Sequence, residues 1–194
     1  MPRRYTLGKR GEAKIETRER IVAAAIRLYQ EVGFGGATVP AIARAADVAP
    51  ATVRNHFPGP NDLAEATADA VLADLAMPDA SIFAGIDGAN ARVRRLVTEL
   101  AAFYERGTAV WQLQQADRAL REAWSSQEAR YQVRRETLIR AALAPHDDDT
   151  VAVTVTNVAV ETMYFALRAA GQSSEAVVET LLEVLTPWLD GRFD

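Results

Sequence analysis

Apolar positions recur at helical spacing along almost the whole chain, interrupted only by short clusters of Gly, Pro and Asp. Ile21, Ala24, Ala25, Leu28 and Val32 form the inner face of a helix predicted over residues 12–32. Gly33 is placed to end it, because a left-handed C-terminal position carries no steric cost for glycine. A second helix follows Thr38 as side-chain cap, with Pro40 in the first turn, buries Ile42 and Ala46, and ends near Asp47. A third starts at Pro50 and runs to about Phe57, with Val53 and Phe57 inward. Pro58-Gly59-Pro60 then breaks the chain, and Asn61 caps a fourth helix through Leu63, Ala66, Ala70 and Leu75.

Beyond a linker over 77–88, a fifth helix is predicted over 89–106, carrying Val93, Leu96, Val97, Leu100 and Phe103 and ended by Gly107. Residues 108–143 read as one long or two shorter helices, closed by Pro145-His146-Asp147. The run Val151-Ala-Val-Thr-Val-Thr alternates like a strand. Its apolar pattern, however, continues with helical period through Val158, Met163 and Phe165, so a helix over 148–170 is predicted, stopped by Gly171. Ser173 or Ser174 caps a last helix ending near Leu189. The fold class is all-α: a three-helix, helix-turn-helix domain over 1–60, then a helical bundle over 61–194.

Charge sharpens this division. The net charge of −4 conceals ten Lys/Arg against five Asp/Glu in residues 1–60, and twelve against twenty-one in the remainder. Such asymmetry fits either a polyanion partner at the N-terminal end only or an ordinary disordered basic tail, and charge by itself does not separate the two. The chain has no cysteine and two histidines far apart, His56 and His146, so neither a sulfur-ligated nor an imidazole-rich metal site is expected, and no cofactor. The N-terminus carries no signal-peptide pattern and no stretch reaches membrane-spanning length, so a cytoplasmic protein is expected. Enzyme motifs are missing as well: Gly-x-Ser-x-Gly, His-Glu-x-x-His, the phosphate loop and Glu-x-x-His pairs.

The second and third predicted helices have helix-turn-helix proportions. Such a unit needs a small residue where the helices cross (Ala43), a bend tolerating left-handed backbone (Asp47), an apolar plug after it (Val48), and polar groups outward on the second helix. Pro50, Ala51, Thr52, Arg54, Asn55 and His56 occupy those outward positions, where base edges and phosphates are met.

The run Thr38-Val-Pro-Ala-Ile-Ala-Arg-Ala-Ala-Asp-Val-Ala-Pro-Ala-Thr-Val-Arg-Asn-His-Phe57, preceded by Gly33-Phe34, resembles the DNA-binding domain of the TetR/AcrR family over Thr17 to Ala66. Asp47 replaces that family's bend glycine. Ala49 replaces a capping serine, at a cost of about 1 kcal/mol, and Arg54 stands where a phosphate-contacting tyrosine is common. Pro60 replaces a lysine that meets the DNA backbone. The basic arm, Arg3, Arg4, Lys9, Arg10 and Lys14, is the expected compensation. The expected DNA-contacting set is Arg3, Arg4, Lys9, Arg10, Thr38, Pro50, Ala51, Thr52, Arg54, Asn55 and His56, facing a palindromic double-stranded operator. The alternatives are a constitutive DNA binder without effector and a helical protein-binding adaptor.

The second domain mixes aromatic and polar residues: Phe103, Tyr104, Trp111, Gln114, Arg118, Trp124, Tyr131, Asn157, Glu161, Met163 and Tyr164. The resemblance implies a pocket for a small-molecule effector among these helices, with Phe103, Trp111, Gln114, Arg118, Asn157, Glu161 and Tyr164 as candidate lining. The last helix is apolar around much of its girth, more than one core contact needs. Val160, Leu167, Val178, Leu181, Leu185 and Trp188 are therefore the candidate homodimer contacts, and the resemblance implies a four-helix interface. Effector binding would release a repressor from its operator.

Overall fold

The computed structural model describes residues 8–59, 61–146, 149–158 and 161–193, leaving aside the side chains of 9, 10, 156–158, 161, 192 and 193. The described residues form helices α1 (Lys9–Gly36), α2 (Val39–Ala45), α3 (Pro50–His56), α4 (Asp62–Asp74), α5 (Ala89–Ala116), α6 (Arg118–Ala123), α7 (Ser125–Leu143), α8 (Asp149–Val158), α9 (Glu161–Ala169) and α10 (Ser174–Phe193). No strand occurs among them, and the run from Val151 is helical. Packing separates two compact units: one runs to Val71 and takes in Gln112–Gln127, and the other comprises Leu72–Trp111 and Glu128 onward. The first unit thus reaches past the boundary drawn at residue 60 on sequence.

In the first unit, α1 breaks at Gly33, whose φ of 74° is the left-handed geometry expected there, and resumes for one turn to Gly36. Its buried stripe is Ile21, Val22, Ala24, Ala25 and Tyr29. Leu28 is only half-buried and Val32 is 55% exposed, contrary to expectation. Val32 lies on the stripe's angle, but at its end, next to the break. Thr38 Oγ1 accepts from the Ala41 N–H at 3.4 Å, capping α2 as expected. Asp47 makes the bend at φ 54°, and the Val48 N–H donates to Ala43 O at 3.0 Å across it. Ile42, Ala43, Ala46, Val53 and Phe57 are buried together.

Two polar nodes hold the unit. Thr67 is fully buried on α4; it donates to Ala64 O at 2.6 Å and accepts from Trp124 Nε1 at 3.2 Å. Tyr29 is hydrogen-bonded to the same hydroxyl, and burial pushes its phenol up to about 12. The Asp117 carboxylate accepts from the Phe34 N–H at 2.7 Å and the Leu120 N–H at 3.0 Å. It caps α6 and ties it to the turn that leaves α1. Both N–H groups favour the ionised carboxylate and hold it below the ordinary range, the Phe34 bond most strongly.

In the second unit, residues 77–88 are more than a linker. Met77 and Phe83 are buried, and a short 3-10 turn, Ala80–Phe83, is capped by Asp79 accepting from Ser81 N–H at 2.8 Å. α5 does not stop at Gly107 but continues to Ala116. A glycine there is a packing choice: a Cβ would lie 1.5 Å from Cζ3 of Trp111, whose indole covers the site one turn later. Ser173 is the cap of α10, accepting from Ala176 N–H at 3.1 Å. Gly171 ends α9 at φ 91° as expected, and α10 passes Pro187 to reach Phe193, beyond the expected Leu189.

Candidate nucleic-acid interface and aromatic cluster

The third helix presents its residues as the pattern demands. Val53 and Phe57 are 2% and 6% exposed and anchor it, while Pro50, Ala51, Arg54 and Asn55 are exposed and Thr52 and His56 half-buried. Ala49 occupies the cap position and makes no side-chain bond there, so Pro50, with its preset φ, starts the helix unaided. Thr38 is exposed but already engaged as the α2 cap. Arg3, Arg4 and Pro60 lie outside the described residues. The backbone of Lys9 and Arg10 opens α1, but their side chains are outside the description.

Two cations stand beside α3: Lys14, from the expected basic arm, and Arg18, which sequence reasoning did not single out. Arg18 places its guanidinium 4.9 Å from the centroid of the Phe57 ring. Partial burial, then Lys14 and then Arg18, hold the His56 imidazole below its usual pKa. Lys14 and Arg18 are spaced i, i+4, so the sequence already put them on one face of α1; what it lacked was the crossing that sets this face against His56. The result is a positive rim at the C-terminal end of α3, suited to phosphate oxygens.

The aromatic residues of the second unit come together. Phe103 meets Trp111 edge-on at 5.4 Å and stacks on Tyr131 at 5.8 Å, while Tyr104 lies 5.4 Å from Tyr164 and Phe165 lies 5.7 Å from Trp111. Phe103, Tyr104, Trp111, Tyr131 and Tyr164 are buried. The Tyr164 hydroxyl donates to Glu105, which also pairs with Arg168 at 3.0 Å, and shares a 3.0 Å bond with Ser174. Burial first, then the Glu105 carboxylate, raises its pKa. Glu105 thus holds the polar position at Tyr164, one the sequence did not single out.

Other candidates fall elsewhere. Gln114 and Arg118 belong to the first unit, and Arg118 is 82% exposed and paired with Glu122 at 2.8 Å in an i, i+4 bridge. Its expected place in the pocket lining is corrected accordingly: the short α6 points it to solvent. The side chains of Asn157 and Glu161 are outside the description, as is Val160. Among the dimerisation candidates, Leu181 and Leu185 are 1% exposed and line up with Val177 and Leu189 as the inward face of α10. They belong to the protomer's own core. Leu167, Val178 and Trp188 are half-buried, and the large apolar side chains standing out in this unit are Val133 on α7, Val153 on α8 and Val184 on α10, 65%, 58% and 53% exposed. The surplus apolar girth of α10 therefore divides into a core face and an outer one.

Residues 21–67 match the family profile described as bacterial regulatory proteins, tetR family. No curated protein matches in sequence. Among solved structures, a TetR-like transcriptional regulator from Rhodococcus sp. RHA1 is similar at a TM-score of 0.59 and 15% identity, over 91% of this chain and 97% of that one. A Clostridium perfringens protein described as a fatty acid metabolism regulator gives 0.59 and 16%, over 84% and 94%. The multidrug binding protein EbrR, complexed with imidazole, gives 0.53 and 24%, over 89% of each chain. No helix among the described residues is long and apolar enough to cross a membrane. The profile match falls on the capped α2, left-handed bend and outward α3 described above, so this segment is similar to the DNA-binding segment of that family, and the solved structures share the all-helical fold.

Proposed function

We propose that the protein is a homodimeric repressor that binds a palindromic operator and is released from it by a small-molecule effector. The observation that carries the reading is the exposed face of α3 (Pro50, Ala51, Arg54, Asn55) beside the Lys14–Arg18–His56 rim. Arg54 is suited to a bidentate contact with guanine O6 and N7, and Thr52 and Asn55 to neighbouring base edges. Lys14, Arg18 and His56, with the arm residues Arg3, Arg4, Lys9 and Arg10, supply the phosphate contacts that fix register. Two such helices related by a two-fold axis read half-sites about 34–36 Å apart.

The dimer surface is assigned to the outer faces of α8 and α10, through Val153, Val178, Val184 and Trp188. The effector is assigned to the aromatic cluster. Release requires that effector favour a dimer whose recognition helices no longer match successive grooves, and the loss of operator affinity equals its differential affinity for the two states. The experiment is binding of the purified protein to labelled DNA from around its own gene, with random competitor, at two salt concentrations. Palindrome-specific binding that weakens with salt is expected. Absence of binding to any DNA at low salt overturns the reading, and binding that no small molecule alters leaves a constitutive DNA binder in its place.

A further inference from the structure

An open groove of about 400 Å³ runs between α1 and α4 within the first unit. Its lining is apolar and small: Val22 and Ala66 are buried, Ile26 and Ala70 half-buried, and Ala23 exposed. The two helices are tied to each other by the Tyr29–Thr67 hydrogen bond. On α1 the apolar stripe continues past the groove to Ile15, a large side chain left 47% exposed. Ile15, Val22 and Ile26 are spaced i, i+7, i+11, so they stand on one line of the helix.

Glu19 lies beside that stripe and lines the groove. Its neighbours one turn away on α1 are Ile15, Glu16, Val22 and Ala23, none of them a cation, and residues adjacent in sequence do not face one another on a helix. Glu99, Glu122 and Glu136 differ in this respect, each pairing with an arginine four residues off. Among the described residues the Glu19 side chain has no hydrogen bond or ion pair. Arg18 also lines the groove, but its guanidinium is engaged over the Phe57 ring at 4.9 Å. Asp69 contributes a second carboxylate from α4 and has interactions of its own. An unpaired carboxylate at the end of an alanine-walled apolar groove is complementary to a ligand with one positive charge and a slender hydrocarbon body. The α1 wall runs from Glu19 to Ile26, roughly 10 Å of helix rise.

We propose that the groove between α1 and α4 binds a linear alkylammonium ion, its charge paired with Glu19 and its chain lying along Val22 and Ile26 against Ala66 and Ala70. The site stands apart from the aromatic cluster, which belongs to the other unit, and is independent of the effector reading. The alcohol of the same chain length makes the same apolar contacts without the charge, so the difference between the two isolates the Glu19 contact. Glu19 is exposed, and an ion pair open to solvent is worth at most about fivefold in affinity.

The test titrates the full-length protein calorimetrically with octylammonium chloride and, separately, with octanol, near neutral pH. Octylammonium is expected to bind about fivefold more tightly than octanol. E19Q, a change at an exposed position, is expected to bring octylammonium down to the level of octanol. A70L fills the groove and is expected to weaken octylammonium by about tenfold or more, the scale of one buried side chain. If A70L fails to fold, A23L, at an exposed position of the lining, carries the same test. Equal affinity for the two ligands, an undiminished preference in E19Q, unchanged octylammonium binding in the folded groove-filling variant, or no saturable binding up to millimolar concentration overturns the proposal. A groove covered by a second copy of the chain instead would show as a lower sedimentation mass in the groove-filling variant, with no octylammonium binding to the wild type, and that result overturns it too.

Discussion

Gly107 offers a test in which helix propensity and packing predict opposite signs. Within a helix, Gly→Ala is worth about 1 kcal/mol in the stabilising direction. At Gly107 the added Cβ would stand 1.5 Å from Cζ3, 2.3 Å from Cε3 and 2.6 Å from Cη2 of Trp111. Carbon atoms settle near 3.5–4.0 Å, so the indole must move by roughly 2 Å. It has little room: Trp111 is 8% exposed, with Phe103, Tyr104, Tyr131 and Phe165 against it at centroid distances of 5.4–6.4 Å. Overpacking of a filled core costs about 1–3 kcal/mol, and the ring's rigidity places this case at the upper end. After the propensity gain, G107A is expected to be destabilised by about 2 kcal/mol, a fall in Tm of about 4–8 °C at this chain length. Urea denaturation and thermal melts measure it, and the double-mutant cycle with W111A isolates the cause. In the W111A background the same substitution is expected to stabilise by about 1 kcal/mol. A G107A protein more stable than wild type, or one equally destabilised with and without Trp111, refutes the reasoning.

Asp117→Ala removes the α6 cap and the acceptor for Phe34 N–H, and is expected to cost about 1–2 kcal/mol by urea denaturation. Because the folded carboxyl sits below its unfolded value of about 4, its contribution is complete above that pH. It is lost as pH falls through the folded pKa, and D117N should flatten that part of the acid limb. If His56 meets a phosphate, the anion raises a pKa that burial and Lys14 and Arg18 hold down, so DNA binding takes up protons. Operator affinity should then climb as pH is lowered toward the depressed pKa of His56 in the free protein, and H56Q should show no such climb; identical pH profiles refute the contact. R54A is expected to relax base preference by about 1–3 kcal/mol at one position, whereas K14A/R18A should weaken all sequences alike and reduce the salt slope by about 2. V153E/V184E should lower the sedimentation mass at micromolar concentration without unfolding, and an unchanged mass rules out that dimer surface.

Features that depend on neighbours along the chain are readable from residue order. Thr38, Asp47 and Pro50 act through their own backbone or the next few amides, so the caps, the bend and the start of α3 were legible before any packing was known. The outward positions of α3 followed from the helical period once Val53 and Phe57 were inward. Features that depend on distant segments become visible only in the folded chain. Gly107 looks like a helix terminus until Trp111 is seen to occupy the space of its missing side chain. Leu181 and Leu185 look like surplus apolar surface until they are found in the protomer's own core. Lys14 and Arg18 become part of the α3 rim only through helix crossing, and Arg135 is one arginine among many until burial sets it against two phenols. Period and capping are local quantities, whereas burial, charge pairing and the choice between core and interface are sums over neighbours that only the folded chain brings together.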